Sequence, residues 1–342
     1  MATRIKIAVW VLMMVAQAVV GSRCVAQARY GVMFYNVENL FDTVNDASTA
    51  DEDMLPKSDR GWSDERYQHK LQGVAQVIAD LAEWGELPAV VALAEVENRK
   101  VLADLVAQPQ IASANYSICH FDSPDDRGID VALLYRPDMF SVEGCRAVRA
   151  VVESAPRLRT RDYLLVWGVM GGERVLFCVV HLPSRIGGVR QTEHLRVGCA
   201  AQVREVVDSI VRADNQMRVV IIGDMNDNPR NKSLRKVLGA RRVTRRLQTK
   251  GLYNLTASVR DGSSVYDGRW NRFDNVIVSA NLLGGEADAL HVVTRSRGKR
   301  VRFVQPLEYL LDSKGYPKPT YRGSDYVGGV SDHLPIRVLL EK

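Results

Sequence analysis

Val219-Val220-Ile221-Ile222-Gly223-Asp224-Met225-Asn226 is a run of four branched apolar residues that stops at a glycine and then presents two polar side chains around a methionine. A short apolar run of this kind, bounded by a glycine, reads as a strand. Similar runs recur on either side of it. Val32–Val37, Ala89–Ala94, Ile129–Tyr135, Tyr163–Val169, Val175–His181 and Asn275–Val278 read as strands, with a hairpin at Gly171-Gly172. Between the first two strands Ser63 caps a helix whose apolar stripe is Leu71, Val74, Ile78 and Leu81. A second helix spans about Thr192 to Arg212, and Pro229 is expected to open a shorter one. Hairpins mixed with long crossovers predict mixed sheets covered by helices.

The strands share one kind of ending. Asn36-Val37-Glu38 closes the first, and in an extended chain Asn36 and Glu38 share a face. Glu95 closes Val90-Val91-Ala92-Leu93-Ala94, and His181 closes Phe177-Cys178-Val179-Val180. Asp224 and Asn226 close the opening run, Asp274 follows Phe273 at the head of another, and Ser331-Asp332-His333-Leu334-Pro335 stands near the C-terminus. One such ending is an ordinary turn, since Asp and Asn favour turns. Six of them gather carboxylates, amides and two histidines, which is the equipment for cutting a phosphate ester. Carboxylates hold Mg²⁺ or Mn²⁺ through oxygen. Amides orient phosphate without repelling it, and a histidine beside a carboxylate donates a proton near neutral pH.

In order and in residue type these segments resemble the endonuclease/exonuclease/phosphatase superfamily, from Tyr35 to Pro335. Gly223-Asp224-Met225-Asn226 and Ser331-Asp332-His333-Leu334-Pro335 are the most specific pieces. The resemblance implies a four-layer α/β sandwich, two mixed sheets packed face to face with helices outside. It implies that Asn36 steadies the phosphate and that Glu38, Glu95 and Asp332 lie at the metal, with Glu95 as principal ligand. Glu38 stands where relatives often carry aspartate. His181 matches a strand-end position that is histidine or tyrosine in the family. Asp224 corresponds to the residue that positions or deprotonates the attacking water, and Asn226 to one on a phosphate oxygen. His333 corresponds to the histidine at the scissile phosphate, with Asp274 as its orienting carboxylate in hydrogen-bond contact. Arg127, Arg161, Arg185, Glu97 and Asp130 are weaker candidates. The implied cofactor is Mg²⁺ or Mn²⁺, with Ca²⁺ an alternative.

Residues 1–28 have the form of a secretory leader. Arg4 and Lys6 precede an apolar run from Ile7 to Val20, and Ala26-Gln27-Ala28 has the small-x-small pattern of a cleavage site. The run is short of the ~20 residues that span a bilayer. Lipid anchoring through Cys24 fits poorly with Arg23 before it. Residues 29–342 then form one catalytic domain, exported to the periplasm or the exterior, with no membrane insertion expected. Losing Arg4, Lys6 and Arg23 lowers the net charge from +6 to +3, a mild bias that admits an anionic substrate. Cys119, Cys145, Cys178 and Cys199 leave three full pairings open, although Cys178 reads equally as a buried thiol, and no C-x-x-C spacing suggests a thiolate zinc site. The acidic loop from Asp42 to Arg60 reads as solvated, with a calcium site as the alternative. No serine or cysteine stands out as a nucleophile. The expected activity is a nuclease acting on DNA or RNA. A phosphatase or phospholipase C for inositol phosphates, nucleotides or sphingolipids is the alternative, and a non-catalytic binding protein the minor one.

Overall fold

The computed structural model describes residues 27–83, 85–284, 288–296, 299–300 and 302–342. Its first sheet is built around β1 (Arg29–Leu40), which pairs in parallel with β2 (Val90–Val96) and antiparallel with the C-terminal strand. β3 (Ser117–His120) and β4 (Asp130–Tyr135) extend it beyond β2. The second sheet runs β5 (Phe140–Val148), β6 (Tyr163–Met170), β7 (Glu173–His181), β8 (Arg218–Asp224) and then β13 (Asp274–Ser279). Its far edge is β10 (Leu252–Asn254) beside β9 (Ala240–Arg242). Short hairpins pair β11 (Ser264–Tyr266) with β12 (Arg269–Asn271), β15 (Arg295–Ser296) with β16 (Lys299–Arg300), and β17 (Tyr321–Arg322) with β18 (Asp325–Tyr326). β14 (His291–Val292) and β19 (Ile336–Glu341) complete the first sheet.

The unbroken apolar runs are explained by two cores. Phe177, Val179, Val220, Ile222 and Val276 face the first sheet, packing with Phe34 and Val91. Their neighbours Cys178, Val180, Val219, Ile221 and Ile277 face outward onto Cys199, Ala200, Val203 and Val207 of the long helix α3 (Glu193–Ala213). Helices α1 (Asp64–Asp80) and α2 (Arg99–Val106) belong to the half of the chain that builds the first sheet. The result is the expected four-layer α/β sandwich. Burying both faces of β7 and β8 makes their apolar residues the costliest to shorten, at ~2–5 kcal/mol for a Leu or Ile cut to Ala.

Local details differ from the expectations. α2 is capped by Asn98, whose side chain accepts from Val101 N at 3.0 Å; its eight residues are too short for periodicity to reveal. Pro229 opens no helix. It lies in a turn pinned by Asn228 and Asn231, and a single wide turn follows at Ser233–Val237. The acidic loop is not wholly solvated: Asp42 and Asp51 are buried, and their carboxylates accept backbone N–H groups of Val44 and Asp46. All four cysteines among the described residues are free thiols. The expected leader lies outside the described residues save its last two, of which Ala28 pairs with Lys342 through both backbone bonds (3.1 and 2.9 Å). No described helix is long and apolar enough to cross a membrane.

Candidate active site

Register brings the strand endings together. His181 on β7 lies opposite Asp224 on β8, and Asp224 lies opposite Asp274 on β13. Gly223 makes the first of these pairings close: at φ +155° a Cβ there would collide with the Val180 carbonyl. Across the cleft, Asn36 on β1 pairs with Ala94, next to Glu95 on β2. The two sheets meet through Asn36, whose Nδ2 donates to Glu95 Oε1 (3.2 Å) and to Asp224 Oδ2 (3.1 Å).

The backbone at these endings is not plain strand. Of six non-glycine residues with positive φ among the described residues, four are Glu38, Asn39, Glu95 and Asn226. Left-handed backbone costs a non-glycine residue ~1–3 kcal/mol, and such strain concentrates at functional sites. The face-sharing expected of Asn36 and Glu38 therefore fails in its stated form, because β1 breaks register between Asn36 and Leu40. The left-handed turn carries Glu38 Oε2 to the backbone N–H groups of Thr320 (2.8 Å) and Asp332 (3.1 Å). Asn226 likewise turns, so that its Nδ2 donates to Leu182 O (3.0 Å) and its own N–H to Asp224 Oδ1 (2.8 Å).

His333 Nδ1 lies 2.8 Å from Asp274 Oδ2, and its Nε2 faces Asp224 Oδ2 at 3.7 Å and Asp332 Oδ1 at 4.0 Å. Burial lowers the His333 pKa, but Asp274, Asp332 and Asp224 outweigh it and lift the ring well above 6.5, so the imidazolium form dominates at neutral pH. His181 goes the other way. Burial, with Arg161 and Arg127 nearby, drives it well below 6.5, and its neutral ring presents Nε2 3.6 Å from Asp224 and 3.9 Å from Glu95.

Five carboxylates, of Glu38, Glu95, Asp224, Asp274 and Asp332, converge here. Burial and the charge of Asp332 push Glu38 up to about 7, and burial with Asp274 pushes Asp224 up to about 7 against the pull of His333. Asp332 is raised by burial and by Glu95, although its side chain opens to solvent at the cleft mouth (57% exposed). Lys70 is the buried cation on the Glu38 side, donating to Glu38 O (2.8 Å) and Val330 O (2.7 Å) and to the Thr320 hydroxyl. A cleft in which carboxylates raise one another is short of positive charge. Its oxygen-rich donors suit a hard divalent cation, and the ligating atoms of Asp224, Asp274 and His333 fall within 4.8 Å of one another.

The weaker candidates are mostly scaffolding. Buried Arg161 pairs with Asp125 (2.9 Å) and donates to Leu182 O (2.8 Å). Buried Arg185 pairs with Asp227 (2.9 Å) and donates to Asn226 O (2.7 Å), so both arginines brace the loops after β7 and β8. Half-exposed Arg127 is 3.9 Å from Asp125. Glu97 accepts from Asp42 N at 2.7 Å, and burial raises it to about 7; it serves the acidic loop rather than Glu95. Asp130 pairs with His120 at 3.2 Å. Sequence reasoning missed Lys70 and His120. Lys70 follows Tyr67 by three and precedes Val74 by four, so a charge on the buried stripe of α1 was the available signal. His120 ends the four-residue strand β3, too short to announce itself.

The profile of the Endonuclease/Exonuclease/phosphatase family matches residues 31–342. No curated protein sequence matches the chain. Among solved structures, humanized D. rerio TDP2 superposes with TM-score 0.57 at 14% identity, covering 92% of this chain and 99% of that one. The Bacteroides thetaiotaomicron mannosyl-6-phosphatase gives 0.56 at 18% identity over 91% and 99%. D. rerio TDP2 complexed with single strand DNA product gives 0.53 at 15% identity over 92% and 100%. At these identities the likeness concerns the fold.

Proposed function

The chain belongs to the endonuclease/exonuclease/phosphatase family, which makes it a hydrolase of phosphate esters, and on that premise we propose that it is an exported phosphodiesterase acting on nucleic acid. The observation that carries the reading is the contact of Asp274, His333 and Asp224 in one carboxylate-lined cleft.

Water attacks phosphorus in line, a new P–O bond forms and the ester P–O bond breaks. Asp224, raised to about 7, takes the proton of the attacking water. His333 Nε2–H, held by Asp274 on the opposite ring nitrogen, donates to the phosphoryl group or the departing oxygen. Asn36 binds Glu95 and Asp224 together and keeps both carboxylates aimed across the cleft. The neutral His181 offers a hydrogen bond without adding charge. Mg²⁺ or Mn²⁺, held by Glu38, Glu95 and Asp332, would supply positive charge against the phosphoryl oxygens. Because water is the nucleophile in this step, no covalent enzyme intermediate is formed.

The deciding experiment is a panel of plasmid DNA, RNA, inositol phosphates, sphingomyelin and mannose 6-phosphate, with Mg²⁺ and with a chelator. Nucleic-acid cleavage that the chelator abolishes is the expected result. Turnover confined to monoesters would move the reading to a phosphatase, and binding with no turnover of any member would leave a binding protein. For export, the secreted protein should begin at Arg29; an intact Met1 in soluble protein, or a lipid on Cys24, overturns it.

A further inference from the structure

The mild net charge of the whole chain conceals a sharp local one. Residues 228–273 hold nine arginines and three lysines against only Asp261 and Asp267. Asp261 is already taken by Arg302 at 3.1 Å. The segment leaves the cleft after β8 and returns to it at β13, so it is anchored at the cleft at both ends.

Two cavities concentrate it. One, of about 670 Å³ at the β9–β10 edge, is lined by Arg230, Arg235, Arg241, Arg242, Arg246 and Tyr253, with no acid in its lining. The other, of about 420 Å³, is walled by Arg230, Arg260 and Arg272 with Trp270 and Asn228, again without an acid. Arg230 is common to both linings, so the two cavities adjoin at that residue. The cleft end of the pair is fixed by Gly262, the chain neighbour of Ser263, whose Oγ accepts from Asp274 N at 3.3 Å and whose carbonyl accepts from Leu334 N. Asn228 closes the same end, donating to Asn271 (2.8 Å) and accepting from Arg272 N (2.8 Å).

Among the described residues, Arg230, Arg235, Arg241, Arg246 and Arg260 have no carboxylate partner, whereas arginines elsewhere, such as Arg136, Arg161, Arg185 and Arg196, are ion-paired. Burial and then the charge of Arg230 lower the Arg272 pKa, and Arg272 has no carboxylate partner among them. Like charges held together around an open groove are stabilised by an anion with several evenly spaced charges. Trp270 is 42% exposed, and Tyr266 on the same hairpin is 37% exposed. Aromatic faces beside a basic groove suit unpaired bases, which neither inorganic polyphosphate nor a sulfated glycan possesses.

We propose that this arginine–tryptophan track is a binding site for single-stranded nucleic acid, which it leads to the Asp274–His333 cleft. The proposal rests on the phosphodiesterase reading and deepens it by locating the strand outside the cleft.

The test measures binding and cleavage separately. In chelator, fluorescence anisotropy with oligothymidylates of 4, 8 and 12 nucleotides should show affinity rising with length. The slope of log K against log salt should be about −0.7 for each phosphate engaged. Arg230→Gln, Arg241→Gln and Arg246→Gln combined should weaken the 12-mer at least tenfold and flatten that slope by about 2, one increment per lost contact. The three Arg→Lys changes should keep the slope, which separates charge from misfolding. Trp270→Ala should weaken the oligonucleotide about fivefold or more and leave inorganic polyphosphate unaffected. Affinity independent of length, or equal losses for oligonucleotide and polyphosphate in Trp270→Ala, would overturn the track. Length-dependent binding without cleavage in Mg²⁺ supports the track and removes nucleic acid as the substrate; cleavage with length-independent binding defeats the track alone.

Discussion

Among the described residues, two histidines at or near strand ends, His333 and His120, are hydrogen-bonded to an aspartate, and their second ring nitrogens set them apart. His333 gives Nδ1 to Asp274 at 2.8 Å and turns Nε2 into the cleft, toward Asp224 and Asp332. His120 gives Nε2 to Asp130 at 3.2 Å and turns Nδ1 toward Asp122, 3.9 Å away and 86% exposed. Asp130 meanwhile accepts from Ser123 N at 2.8 Å, so the second pair ties down the loop between β3 and β4. Both sets bring three ligating atoms within 4.8 Å. Proximity of His and Asp is therefore not the distinguishing mark. In the proposed mechanism the chemistry falls to the ring whose free nitrogen faces two carboxylates of the cleft, Asp224 and Asp332, and whose pKa the surrounding aspartates raise.

The comparison breaks or sharpens under mutation. His333→Ala should lower kcat by ~10²–10³-fold or more, the scale of lost acid–base or oxyanion assistance. Asp274→Asn should cost less, since the imidazole stays and only its orientation and charge suffer. Steady-state kinetics of the double mutant should match His333→Ala alone, because groups acting as a unit are non-additive; fully additive losses would show that the two work apart. In the wild type, activity should fall as pH rises through the His333 pKa, well above 6.5, because deprotonation removes the donor.

Glu95→Gln ranks next. It keeps shape and removes one charge from the Asn36–Glu95–Asp224 set, so the Mg²⁺ activation midpoint should shift upward by ~10-fold or more. An unchanged activation curve would take Glu95 out of the cation's reach. His120→Ala should be the smallest in turnover, within ~3-fold. It leaves Asp130 Oδ2 without its partner, with only Oδ1 still held by Ser123 N, and should cost about 1–3 kcal/mol of stability, readable as a lower melting temperature. A loss above tenfold, or a shifted metal curve, would make the two pairs equivalent and the distinction wrong.

Much of the fold and of the site is legible in the amino-acid order alone. The seven apolar runs become strands because branched residues at consecutive positions can be satisfied only by burial on both faces, as Cys178 and Val179 illustrate by entering different cores. The polar endings are legible as chemistry, since Asp, Asn and His have no packing reason to stop so many strands. The arginine segment is equally present in the sequence, but averaging charge over the chain hides it. The Pro229 helix fails because proline's fixed φ suits a turn as well as a helix start.

What the sequence determined by itself was the inventory: which runs are buried, where each strand stops, and which functional groups stand at the stops. These are local matters of side-chain polarity and period. Only the tertiary structure decided how those groups meet. Asp274 and His333 are far apart in the chain and touch because β13 pairs with β8 while β19 pairs with β1. Lys70 became part of the site because α1 lays it against Glu38 and Val330. Glu38 and Glu95 take left-handed backbone that no local preference favours. Packing of two sheets over-determines those positions and holds them strained, and no neighbouring residue in the chain records that cost.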